Sequence, residues 1–204
     1  MRFKKVAFYT LGCKVNQYET ESLKKQFVDN GFETAEFEEY ADIYVVNSCT
    51  VTSIADKKTR NMLRRAKKLN EDSVVIATGC YAQTNGEELS KIEEIDYVVG
   101  NTDKNAIFNL ITKIEREETL PKLIVKNIFD EKIYEEIEFS TLREMSRAYI
   151  KIQDGCNNFC SYCKIPFARG GNRSRKLNSI LEEVETLAKD GFKEIILIGI
   201  NLGA

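Results

Sequence analysis

Three short β-rich runs in the first 80 residues each end in a cysteine. They read KVAFYTLGC, DIYVVNSC and SVVIATGC, and close on Cys13, Cys49 and Cys80. Polar, helix-forming stretches separate them, over residues 17–30 (closed by Gly31) and 54–69. The cysteines stand 36 (49 − 13) and 31 (80 − 49) residues apart, about one strand–helix–strand step. Strands joined by such crossovers run parallel, so their carboxyl ends share one edge of the sheet. The pattern predicts a Rossmann-like parallel α/β sheet that delivers three thiols to the edge where open α/β sheets bind ligands. Strands over 32–37 and 97–100, a short helix near 86–92 and a helix over 104–115 continue the alternation. Three core cysteines are the plain alternative. Their position after Gly or Ser, outside the apolar run, favours ligands.

The 204 residues hold six cysteines and no histidine. Without histidine there are no Cys/His zinc fingers, no Cys–His nucleophile pairs and no imidazole bases. No signal-type segment and no apolar span of membrane length is present, so a cytoplasmic chain away from membranes is expected. In a reducing compartment cysteines serve as ligands or catalysts more often than as disulfides. A net charge of −2 gives no general pull toward nucleic acid, DNA included. Any RNA contact must come from a local patch.

The remaining cysteines lie in DGCNNFCSYCKIPFARG, as Cys156, Cys160 and Cys163 in a C-x₃-C-x₂-C spacing. Tetrahedral zinc wants four ligands and a disulfide two. Three thiolates on one loop suit a four-iron, four-sulfur cluster with one open iron. A zinc loop completed by a distant cysteine is the alternative. The loop follows a strand in RAYIKIQ and precedes a helix in NSILEEVETLAKDG and a strand in KEIILIGIN. On that helix Ile180, Leu181, Val184, Leu187 and Ala188 form one apolar face, Ser179 and Glu182 make a capping box, and Gly191 ends it. The order predicts an N-terminal domain over 1–115, a linker with a hairpin over 116–146, and a βαβ segment over 147–204. Two strands close neither a barrel nor a sheet of their own, so the last segment reads as a domain cut short.

Taken together, LGCKVNQYETE, ADIYVVNSCTVT, VIATGCYAQ, VVGN and GCNNFCSYCKIPFARGGNRSR resemble the radical S-adenosylmethionine (SAM) methylthiotransferases over essentially the whole chain. GCKVNQYE and GCYAQ are most similar to the branch acting on threonylcarbamoyladenosine in tRNA. That resemblance implies an auxiliary 4Fe-4S cluster on Cys13, Cys49 and Cys80. It implies a SAM-binding 4Fe-4S cluster on Cys156, Cys160 and Cys163, with Tyr162 near the SAM adenine. The implied reaction is replacement of an adenine C2 hydrogen by a methylthio group beside the anticodon. Its partners would be tRNA and an electron donor such as a flavodoxin or ferredoxin. The resemblance makes residues 147–204 the first βαβ unit of a truncated radical-SAM (β/α) barrel. Family members continue through the rest of it and usually a small RNA-binding domain, so this chain alone is expected not to turn over. Lys164 departs from the branched aliphatic residue expected after the last cysteine. The competing readings are the isopentenyladenosine or ribosomal-protein branch, an iron–sulfur electron-transfer module, and a zinc-stabilised RNA-binding domain.

An RNA substrate calls for basic patches. Between Lys57 and Lys68 stand seven basic residues and no acidic one, making Arg64, Arg65 and Lys68 candidate phosphate contacts. Arg169, Arg173 and Arg175, with Lys176, form a second candidate patch just after the cysteine loop. A solvated helix face is the ordinary meaning of such runs.

Overall fold

The computed structural model describes residues 3–102, 104, 106–136 and 147–203. Its first part runs β1 (Lys5–Thr10), α1 (Lys14–Asp29), β2 (Glu33–Ala35), β3 (Ile43–Ser48), α2 (Ser53–Leu69) and β4 (Val74–Gly79). There follow α3 (Cys80–Thr84), α4 (Gly86–Ser90), β5 (Tyr97–Val99), α5 (Ala106–Glu115) and β6 (Leu123–Ile124). All six strands pair in parallel, in the order β2-β1-β3-β4-β5-β6. The sheet is buried on both faces, which is why β3 and β4 carry no exposed residue. Ile43 and Val45 join Leu23 and Phe27 of α1 and Ile107 and Ile111 of α5 on one face. Tyr44 and Val46 join Leu63 of α2, Tyr81 of α3 and Leu89 of α4 on the other.

The expected alternation is therefore present, and the Rossmann-like α/β class with it. Helix α1 begins three residues earlier than periodicity predicts, at Lys14. The linker differs more. Leu123 and Ile124 pair in parallel with Val98 and Val99 as a sixth strand, covering the β5 edge, rather than turning back as a hairpin arm. The part of the expected hairpin segment at 137–146 lies outside the described residues.

In the second part, β7 (Arg147–Lys151) pairs in parallel with β10 (Glu194–Ile198), and α7 (Leu177–Lys189) packs its Leu187 on Ala148 and Ile150. This is the expected βαβ unit. Between β7 and α7 stand β8 (Gln153–Asp154), α6 (Ile165–Arg169) and β9 (Arg173–Ser174), with β8 and β9 paired antiparallel. Two details of α7 need correction. The helix starts at Leu177, after Lys176, so Ser179 sits inside it and donates to Glu136 at 3.0 Å instead of forming a capping box with Glu182. Leu181 is 49% exposed, Ala188 is exposed, and Glu183 takes a buried place on the helix. The reason is a partner: Arg175 reaches Glu183 across the turn and Tyr18 of α1 donates to it at 3.3 Å.

Candidate functional site

The sheet reverses its direction of winding at β1, which has β2 on one side and β3 on the other. Cys13 follows β1 and precedes α1, Cys49 follows β3, and Cys80 follows β4 as the first residue of α3. All three predicted thiols thus stand at the carboxyl edge, two of them flanking the switch point where such sheets hold ligands. The chain passes tightly here. A Cβ at Gly12, whose φ is +121°, would lie 2.9 Å from Cys49 Cβ and 3.3 Å from its Sγ. Burial pushes the Cys49 thiol up, and the neighbouring Cys80 and Cys13 thiols push the same way.

Three asparagines attend the sulfurs. Asn16 Oδ1 accepts from Cys13 Sγ at 3.6 Å, Asn101 Nδ2 lies 3.9 Å from Cys80 Sγ, and Asn201 Nδ2 lies 3.6 Å from Cys156 Sγ. Sequence reasoning assigned them no role, although Asn16 and Asn101 lie inside quoted motifs. Asn16 is fixed through its Nδ2, which donates to Leu11 O at 2.9 Å and Ser48 O at 3.0 Å.

The second triad hangs on a clasp. Gln153 donates to Gly155 O and Asn172 Oδ1, both at 2.7 Å, and accepts from the Ile200 and Asn201 amides at 2.8 Å. One side chain thereby ties the base of the loop to the end of β10. The Cys156 amide donates to Gly170 O at 3.0 Å, and the Cys163 amide to Cys160 O at 2.9 Å. Within the loop Phe159 adopts φ +46° and stacks its ring on Phe129. Cys160 is exposed, Cys156 and Cys163 are half-buried, and Tyr162 projects with 88% of its surface exposed.

Beneath both triads lies a buried ionic cluster. Glu19 of α1 pairs with Lys104, with Lys151 at 2.8 Å and with Arg169 at 2.8 Å. Asp154 pairs with Lys151 at 2.6 Å and with Arg169 at 3.1 Å. None of these side chains exceeds 12% exposure. Burial alone would neutralise the carboxylates, but the surrounding cations hold Glu19 well below the usual range and Asp154 at about 2. Because the folded-state pKa of Glu19 is depressed, its contribution to stability is complete above the unfolded carboxylate range and is lost as pH falls below it. The urea midpoint is expected to fall between pH 5 and pH 3. An unchanged midpoint would contradict this.

These pairs correct part of the predicted RNA patch. Arg169 is 1% exposed and occupied by Glu19, Asp154 and Asn16. Arg173 donates to Arg169 O and Gly171 O, and Arg175 pairs with Glu183 and Glu136. A buried guanidinium must find acceptors inside the protein, so none of the three is free to meet phosphate. On α2, Arg64 and Arg65 are exposed but face Glu94 and Glu38, while Arg60 and Lys67 face Glu88 and Asp96. The acid-free run thus meets acids from neighbouring elements. Lys68 is exposed.

Among the described residues, no three Cys, His, Asp or Glu side chains close around the position of a single metal ion. The chemistry of the two donor sets nevertheless fits an iron–sulfur guest: each offers thiols alone, with an asparagine amide N–H at a sulfur. No helix among the described residues is long and apolar enough to cross a membrane.

The family described as "Uncharacterized protein family UPF0004" matches residues 5–100, and "Radical SAM superfamily" matches residues 150–201. The threonylcarbamoyladenosine tRNA methylthiotransferase MtaB of Bacillus subtilis is 46% identical over 97% of this chain and 44% of its own length. The protein of the same name from Aquifex aeolicus is 45% identical over 97% of this chain and 48% of its own. A tRNA-2-methylthio-N(6)-dimethylallyladenosine synthase of Fusobacterium nucleatum is 36% identical over 98% and 46%. The chain spans less than half the length of these relatives.

Proposed function

We propose that this chain, which belongs to the radical-SAM methylthiotransferase family, serves the methylthiolation of threonylcarbamoyladenosine in tRNA. The observation that carries the reading is the pair of all-thiol sets, one at the switch point of the sheet and one on the clasped loop. The threonylcarbamoyladenosine branch is preferred over the dimethylallyladenosine branch because two relatives of that name reach 46% and 45% identity, while others of that name, at 33–35%, stand level with the 36% of the dimethylallyladenosine synthase.

Cys13, Cys49 and Cys80 would hold an auxiliary 4Fe-4S cluster, and Cys156, Cys160 and Cys163 a SAM-binding one. Such groups, when bound with SAM, supply the radical chemistry and the sulfur that an inert aromatic C–H requires, while the protein orients and shields. The residues of this chain do the holding. Asn101 and Asn201 offer N–H groups to sulfur, Gln153 fixes the loop base, and Tyr162, which precedes Cys163, would lie near the adenine. Lys68, with Arg64 and Arg65 once their carboxylate partners are displaced, would meet tRNA phosphates. An electron donor such as a flavodoxin or ferredoxin, and a cytoplasmic setting, complete the proposal.

Iron and acid-labile sulfide per chain after anaerobic reconstitution test it. About eight irons are expected, falling to about four in Cys13→Ala and in Cys156→Ala, as three-thiolate ligation of two separate clusters requires. Zinc in place of iron, or iron indifferent to either substitution, would defeat it.

A further inference from the structure

Arg169 belongs to the radical-SAM segment, yet its side chain ends at the other triad. Its Nη2 donates to Asn16 Oδ1 at 2.7 Å, and that oxygen lies 3.6 Å from Cys13 Sγ. The carbonyl of the preceding residue, Ala168, accepts from Asn101 Nδ2 at 2.6 Å, and that nitrogen lies 3.9 Å from Cys80 Sγ. So two consecutive residues of α6 reach two of the auxiliary thiols, each through one asparagine. Cys80 is only 3% exposed.

Charge adds a second feature. Arg169, Lys104 and Lys151 face Glu19 and Asp154, three cations against two carboxylates. Arg173 lies a further 4.0 Å from Asp154. A buried cluster with surplus positive charge is costly unless anionic charge lies close by. Three thiolates around a guest would supply it. The Nε of Arg169 is buried and has no acceptor among the described residues.

We propose that Arg169 is a positioning residue of the auxiliary site: it docks the exit of the Cys156–Cys163 loop onto Cys13 and Cys80 and holds uncompensated positive charge behind their sulfurs. The proposal rests on the functional reading above for its charge arm only. Its docking arm concerns the protein alone.

Arg169→Gln is a usable test because it leaves two lysines facing two carboxylates, with no charge stranded. In the metal-free chain, alkylation of Cys80 by iodoacetamide, followed by peptide mass spectrometry, is expected to speed up about tenfold as α6 opens locally. The exposed Cys160 should react at its original rate, and Arg169→Lys should fall between. Should Arg169→Gln fail to fold, Asn101→Ala cuts the Ala168 link, keeps every charge, and should release Cys80 alike. In the Cys156→Ala background, the remaining cluster should show a more negative reduction potential with Arg169→Gln and a nearly original one with Arg169→Lys. Unchanged Cys80 reactivity in a folded variant overturns the docking, and an unchanged potential overturns the electrostatic role. A wild-type chain that takes up no iron overturns the functional reading and the charge arm with it, leaving the alkylation rates to decide docking.

Discussion

Glu19→Gln is expected to lower stability by about 3–5 kcal/mol, the usual cost of breaking a buried ion pair from one side. The substitution keeps the shape and removes the charge. Lys151 and Arg169 would be left with Asp154 and Lys104 without its carboxylate, with the surplus positive charge in a buried site. Urea denaturation at pH 7 is the measurement, and Glu33→Gln is its control. Glu33 faces Lys5 at 3.9 Å with both side chains at least half exposed, so losing that pair should cost well under 1 kcal/mol. Similar losses in the two variants would show that the buried cluster contributes nothing special. Combining Glu19→Gln with Arg169→Gln should recover part of the loss, because one surplus cation leaves with its partner.

Gly155→Ala is expected to cost at least about 2 kcal/mol, from a left-handed backbone that disfavours any Cβ and from a collision behind it. Gly155 has φ +74°, and an added Cβ would fall 1.9 Å from Gly171 O and 2.6 Å from its carbonyl carbon. No rotamer relieves a clash with backbone. The neck of the cysteine loop must widen, which breaks the Cys156 N–H bond to Gly170 O and the β8–β9 pairing. Under the proposed function, the variant should lose the iron that Cys156→Ala loses while keeping all six thiols. Retention of full iron with an unshifted urea midpoint would show that the neck tolerates the change.

Much of the sheet was legible because buried parallel strands write their apolar runs plainly. Cys13, Cys49 and Cys80 could be placed at one edge for the same reason. Strand β6 was legible only as an arm of a hairpin, since nothing local in its sequence shows that its partners are Val98 and Val99. The ionic cluster was hidden by a sound default, that charged residues face water. Its members lie up to 150 residues apart, and nothing local announces that Glu19 will meet Arg169. One signal was present. On α1 the positions 16, 19, 20, 23 and 27 make one helical face, buried throughout, yet the first three are Asn, Glu and Thr. A polar half on a stripe completed by Leu23 and Phe27 marks a face that meets partners rather than solvent. Arg169, Arg173 and Arg175 misled for the complementary reason: basic residues beside a loop look the same in sequence whether they serve RNA or the fold.

That cluster is also completed late in synthesis. Glu19 and Lys104 leave the ribosome well before Lys151, Asp154 and Arg169, and domains tend to fold from the N-terminus as they emerge. Until the later residues arrive, α1 presents its carboxylate to water, where it is solvated at no cost. Dehydration of that face comes only when all five side chains are at hand. The nascent sheet is thus spared an unpaired buried charge, and the later segment finds a polar, non-sticky surface waiting for it.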